Sequence, residues 1–223
     1  MTTFRYALPL LLVLSRFAVA AEVQTAASQS AMTPDQALTR LKEGNTRFVA
    51  NQSKKRDWTA KVIATASGQY PFAAVLGCMD SRAPIEVVFD QGIGDVFGIR
   101  IAGNVVNEDE LGSLEYAVKV VGVKLLVVLG HTSCGAVKGA IDDAKLGNLT
   151  QLLAKIRPAV TAAKCSDSKD AACVDKVAEE NVRESMREIK ERSTDLAAAI
   201  DGGKVKIVGA MYDLATGKVT VLE

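Results

Sequence analysis

Two apolar runs set the frame for this chain. Phe72-Ala73-Ala74-Val75-Leu76-Gly77 and Val123-Lys124-Leu125-Leu126-Val127-Val128-Leu129 are almost continuously apolar. A strand with one wet face alternates; runs of this kind predict strands buried on both faces, as in a parallel sheet covered by helices. Each run ends in residues that bind soft metals. Cys78 follows the first, and Gly130-His131-Thr132-Ser133-Cys134 follows the second. His131 is the only histidine, and Cys78 and Cys134 are two of four cysteines.

The segments between and around these runs have helical character. Thr33 is an N-cap and Pro34 a first-turn residue for a helix to about Ala50, with Ala37, Leu38, Leu41 and Phe48 on its apolar stripe. A second helix runs from Asp57 or Trp58 to Ala66, and Pro84 to Phe89 is a short helix or turn. Strand two is Asp95 to Ile101. A helix from Asp109 or Glu110 ends at Gly122. Further helices are expected over 136–144 and 149–163, with a kink or restart at Pro158. Residues 174–200 form one long charged helix whose charges are a solvated face; a partner-binding helix is the alternative. Strand four is Lys204 to Tyr212, and after the Ala215-Thr216-Gly217 turn residues 218–222 return antiparallel. The fold class is therefore α/β: a mostly parallel four-stranded sheet plus an antiparallel edge strand, flanked by helices. The first two helices form an N-terminal arm that packs on the domain or reaches a neighbour.

A chain of 223 residues suits one domain with a single sizeable core. Formal net charge is +1 and no basic block stands out, which argues against nucleic acid as a partner. Arg5, the apolar stretch Ala7 to Leu14 and Ala18-Val19-Ala20 read as a signal peptide over residues 1–20, with an uncleaved anchor as the alternative. Residues 21–33 read as a flexible lead-in and 34–223 as the domain. No other stretch approaches the ~20 apolar residues of a membrane span, so the cleaved protein is expected in the periplasm or outside the cell, free of the membrane. In an oxidising compartment Cys165 and Cys173, in a polar loop, are expected to form a disulfide, with free thiols as the alternative.

Cys78, Asp80 and Arg82 are spaced by two, so an extended backbone would point all three to one side. His131 and Cys134 are three apart across a turn into a helix, and Gly135 leaves room for close approach. Two thiolates and an imidazole suit one zinc ion and leave a fourth position open, as catalytic sites do. Asp80 either occupies that position or is held by Arg82 in a bidentate pair. Two thiolates cancel the charge of Zn²⁺, so the ion should acidify water less than three neutral imidazoles do, and activity should rise above neutral pH.

At these residues the sequence resembles the β-carbonic anhydrases. Cys78-Met79-Asp80-Ser81-Arg82 and Gly130-His131-Thr132-Ser133-Cys134-Gly135-Ala136 are similar to that family's two zinc motifs. Gly44 to Phe48, Asp90 to Phe97, Arg100 to Asn104 and Ser113 to Ala117 resemble its bacterial members, and the likeness runs from about residue 34 to 222. The resemblance implies one zinc per subunit on Cys78, His131 and Cys134, with Asp80 and Arg82 as the catalytic dyad. It implies reversible hydration of CO₂ to bicarbonate by zinc-bound hydroxide, in a homodimer or dimer of dimers. Gln91 lies near a glutamine that some relatives use at the substrate pocket. Some members carry Trp three residues before the first zinc cysteine, at a regulatory bicarbonate site. Here that position is Val75, although Arg100 is kept, so an open site without that form of inhibition is expected. With no second histidine, the proton must leave by buffer, water or a carboxylate.

Three other functions compete: a CS₂ or COS hydrolase on the same scaffold, a non-catalytic zinc-stabilised scaffold protein, and a thiol redox protein. A structural zinc has no need of Asp80 and Arg82, and the redox reading lacks Cys-x-x-Cys.

Overall fold

The computed structural model describes residues 23–222. The stretch read as a signal peptide lies outside them. Five strands form one sheet in the order β2-β1-β3-β4-β5: β1 (Ala73–Gly77), β2 (Val96–Arg100), β3 (Leu125–His131), β4 (Lys206–Tyr212) and β5 (Val219–Val221). Pairs β1–β2, β1–β3 and β3–β4 are parallel and β4–β5 is antiparallel. The expected architecture is therefore observed. β3 extends two residues further than the apolar run suggested, so His131 is its last residue rather than the one after it.

Every residue of β1 and β3 is buried. Successive side chains alternate between two cores, as the period of two requires. Leu126 and Val128 join Leu76, Ile156, Val182, Ile189 and Leu196 on one side of the sheet. Leu125, Val127 and Leu129 join Leu41, Phe72, Val75 and Ile85 on the other. Each such side chain contributes roughly 1.5–3 kcal/mol by leaving water.

Helix α2 (Pro34–Val49) begins as expected, with a capping box between Thr33 and Gln36. It packs on its own sheet through Ala37 and Leu41, and Asn45 clips it in place. The Asn45 amide donates to the carbonyls of Val88 and Gly217 and accepts from the Val219 N–H. The arm is thus docked at α2, whereas α3 (Trp58–Thr65) leaves Trp58, Val62 and Ile63 exposed.

Two sequence expectations are corrected and a third is met. The lead-in contains a short helix, α1 (Ala26–Ala31), because Thr25 and Ser28 form a capping box of their own. The restart expected at Pro158 is observed: the stretch over 149–163 is two helices, α7 (Gly147–Ala154) and α8 (Arg157–Ala163), with Pro158 in the first turn of the second. The long charged helix is also two, α9 (Ala171–Arg192) and α10 (Thr194–Asp201). Ser193 breaks it: its backbone is extended and its hydroxyl caps Leu196 N–H, the usual work of serine at an N-cap. The remaining helices are α4 (Ile85–Val88), α5 (Glu108–Glu115) and α6 (Gly135–Ile141). A π-helical turn (Tyr116–Val121) follows α5 and ends at Gly122, whose φ of 87° suits glycine.

Candidate metal centre

From β1 the chain steps to β2 on one side and later returns to β3 on the other. The carboxyl ends of β1 and β3 therefore flank a topological switch point, where open α/β sheets place their ligands. Gly77 pairs with Leu129 across that junction, so Cys78 and His131 leave the sheet together. Cys134 caps α6 immediately after. The ligand atoms of Cys78, His131 and Cys134 all lie within 4.8 Å of one another, and all three residues are buried.

The imidazole is oriented for a metal. Nδ1 of His131 lies 2.9 Å from the Thr132 carbonyl oxygen, which places the ring proton there as donor. Nε2 is buried and has no hydrogen-bond partner. A buried lone pair without a partner is costly in an apolar interior, whereas a metal-bound histidine characteristically gives its other N–H to a carbonyl. Zinc is the ion this donor set fits.

The two thiols do not behave alike. The bond between the Cys134 and Cys78 thiols outweighs burial and brings the Cys78 thiol well below its ordinary value. The same bond, then burial, pushes Cys134 far up. Burial works against a charged His131, but the neighbouring Cys78 sulfur and the Thr132 carbonyl overcome it and raise its pKa.

Asp80 sits beside the triad with Oδ2 3.8 Å from His131 Nε2. Arg82 grips it at two points: Nε donates to Oδ1 at 2.9 Å and Nη2 to Oδ2 at 2.7 Å. The Arg82 backbone N–H adds a third bond to Oδ1. This side-chain pair, against some burial, holds the Asp80 carboxyl well below the usual carboxylate range. Arg82 itself is largely exposed. An added Cβ at Gly135 would meet nothing within 4 Å, so the glycine beside Cys134 faces open space.

Gln91 is not brought into this group. It is buried, with its amide donating to the Phe89 carbonyl, and lines a separate polar cleft with Arg40, Arg47, Lys61, Asp90 and Asp95. Asp95 is bonded to Phe72 N–H ahead of β1, so that cleft lies toward the amino ends of the strands. Cys165 and Cys173 are joined as a disulfide with Cα atoms 5.5 Å apart.

Sequence reasoning missed the groups that hold the ligand loops. Arg100 Nε donates to the Cys78 carbonyl and Nη2 to the Asp80 carbonyl, tying down the Cys78-Met79-Asp80 turn. Gly103 N–H donates to Cys78 Sγ at 3.3 Å. Asn181 and Ser185, both on α9, bond the carbonyls of Gly103 and Asn104. The available signal was two polar residues within the apolar stripe of a helix.

Comparison with known proteins agrees with this geometry. The carbonic anhydrase family profile matches residues 73–219. Carbonic anhydrase 2 of Mycobacterium tuberculosis is 40% identical over 184 residues, covering 80% of this chain and 87% of that protein. Among solved structures, the β-carbonic anhydrase CafA of Aspergillus fumigatus superposes with a TM-score of 0.67 at 27% identity, over 85% of this chain and 90% of that one. A structure from a study of two tetrameric β-carbonic anhydrases of Sordaria macrospora gives 0.66 at 26% identity, over 74% and 90%. The match spans the strands whose ends carry Cys78, His131 and Cys134, and on that ground the chain belongs to the carbonic anhydrase family, in its β class.

Proposed function

We propose that this protein catalyses the reversible hydration of CO₂ to bicarbonate and a proton, with zinc held by Cys78, His131 and Cys134. One observation carries the reading. A carboxylate clamped at both oxygens by Arg82 stands 3.8 Å from an unpartnered buried imidazole nitrogen. A merely structural metal site has no use for that pair. Bound there, zinc supplies a Lewis acid that makes water nucleophilic near neutral pH.

The residues then have separate tasks. Asp80, ionised throughout the neutral range, accepts a hydrogen bond from the attacking water and orients it without taking its proton. Arg82 keeps Asp80 in that orientation and away from the metal position. Arg100 fixes the backbone on which Asp80 sits. The sole histidine belongs to the triad, so the released proton passes to water, buffer or a carboxylate.

The test is CO₂ hydration by stopped flow with metal analysis on the same samples. One zinc per chain with activity is expected, and loss of both in Cys134→Ser. Full activity in zinc-free protein ends the reading.

Two wider readings accompany it. The domain spans 34–223 and works as a homodimer or dimer of dimers. In support, an apolar groove of about 470 Å³ lies between α2 and strands β3 to β5, lined by Leu38, Val49, Val208 and Val221. Trp58, Val62 and Ile63 of α3 are exposed as well. Sedimentation at micromolar protein checks this, and a monomer sinks it. The protein is also read as exported, with residues 1–20 removed. The Cys165–Cys173 disulfide supports that compartment, and among the described residues no helix is long and apolar enough to cross a membrane. Mass analysis of the mature protein from cell fractions decides it.

A further inference from the structure

The charge pattern of α9 makes it look like a solvated helix, yet its inner face reaches both thiol-bearing loops. We infer that α9 is the positioning element of the metal centre: Asp175 sets the loop that carries Cys134, and Asn181 sets the loop that bonds Cys78. The inference rests on the zinc reading above.

Asp175 acts at the second loop. Its Oδ1 accepts the Ser133 N–H at 2.8 Å. Ser133 has a φ of 54°, in the left-handed region that a side chain disfavours. That conformation turns the chain between His131 and Cys134 and so determines whether both reach one ion. The bond to Asp175 compensates for the strained backbone at the residue just before Cys134.

Asn181 acts at the first loop. It is 2% exposed among Val177, Ala178 and Val182, where an amide is costly unless it is bonded. Its Nδ2 donates to the Gly103 carbonyl at 2.7 Å, and the Gly103 N–H points at Cys78 Sγ. Gly103 has a φ of 67°, and a Cβ there would stand 2.6 Å from Ile156 Cδ1. This tight, left-handed glycine is therefore aimed at the thiolate by a side chain of α9. Partners that orient metal ligands are typically worth 10–100-fold in metal affinity.

The helix can do both because it lies against the ligand strand itself. A Cβ on Gly130, the residue before His131, would meet Val182 Cγ2 at 2.7 Å. The backbones of α9 and β3 thus approach where the metal ligands begin.

The experiment measures zinc affinity by chelator competition and the thiolate-to-cobalt absorption of the Co²⁺-substituted protein. Wild type, Asp175→Ala, Asp175→Asn, Asn181→Leu and the control Ile189→Val are compared. Asp175→Ala and Asn181→Leu are each expected to weaken zinc binding about 10–100-fold and to shift the cobalt band. Asp175→Asn, which keeps an accepting oxygen, is expected to stay near wild type. Ser133→Gly, which removes the backbone strain, is expected to restore part of the affinity lost in Asp175→Ala. Unchanged affinity and spectrum in the Asp175→Ala protein overturn the inference, as does an equal loss in Ile189→Val. If Asn181→Leu does not fold, the Asp175 series and its Ser133→Gly rescue decide alone. Failure of the wild type to bind zinc would instead remove the metal reading itself.

Discussion

Arg82 holds Asp80 through two parallel charge-assisted bonds, Nε to Oδ1 at 2.9 Å and Nη2 to Oδ2 at 2.7 Å. A planar guanidinium matches both carboxylate oxygens at once, and an ammonium does not. Arg82→Lys therefore keeps the charge and loses the orientation. Small misplacements of a catalytic group cost about 10²-fold, so kcat/KM for CO₂ hydration is expected to fall roughly that far. Zinc content should stay at one per chain, because Arg82 touches none of the three ligands. A variant with wild-type kcat/KM would show that orientation of Asp80 is unimportant.

The same pair decides which group shapes the pH profile. Asp80 is held below the ordinary carboxylate range, chiefly by the Arg82 bonds, so it is already ionised well under pH 6. Its titration cannot produce a change in rate between pH 6 and 9. With two thiolates cancelling the charge of Zn²⁺, acidification of water is weaker than in a three-imidazole site. The rate is expected to climb from pH 7 to 9 in stopped-flow assays. A flat profile over pH 6 to 9 would count against the proposed role of the metal.

Stability at low pH is expected to depend on Asp90, a buried carboxylate far from the proposed chemistry. Burial pushes its pKa up, but Arg56 and Arg47 outweigh burial and hold it below its ordinary value. A depressed folded pKa gives stability that is present above the unfolded value, near 3.9, and lost as pH falls through the folded one. The contribution is thus constant from pH 6 to 8 and declines as pH falls below about 4, through the folded value. Asp90→Asn leaves two guanidinium groups without their anion and is expected to cost about 3–5 kcal/mol at pH 7. Urea unfolding of both proteins at pH 7 and pH 3 tests this; the gap between them should narrow at the lower pH.

The Cys165–Cys173 disulfide closes a short loop between α8 and α9. On the chain-entropy estimate such a closure contributes about 2–3 kcal/mol. Cys173→Ser should lower the unfolding free energy by that amount under oxidising conditions while zinc content stays unchanged. If zinc is lost too, α9 transmits strain to the metal loops.

The sheet and the triad were legible in the sequence because each rests on local chemistry. Two apolar runs without alternation announce strands buried on both faces, and Cys78 and His131 stand at their ends. The break at Ser193 was less visible than the restart at Pro158, since the apolar spacing continues across it and only a single cap interrupts it. The supports of the site were hidden for another reason. Asp175 bonds a residue 42 positions away and Asn181 one 78 away. Such partners are fixed by how α9 crosses β3, and no local pattern carries that crossing. Gln91 misled in the opposite direction: its neighbourhood in sequence suggested the pocket, but the chain has turned back along α4 before reaching it.

Bicarbonate is expected to act on this protein only as product. A regulatory site would need Arg100 free and a large side chain at position 75. Arg100 is instead committed to the carbonyls of Cys78 and Asp80. Val75 is fully buried in β1, packed in the core with Leu129 and Val127. Drawing Arg100 onto an anion would release the turn that carries both Cys78 and Asp80, at a cost of two charge-assisted bonds, each worth about 1.5–3 kcal/mol. Hydration rates measured against rising bicarbonate should therefore fall hyperbolically, with a Hill coefficient near one. Steep, cooperative loss of activity, with Asp80 displaced from Arg82, would show that the turn is a switch rather than a fixed support.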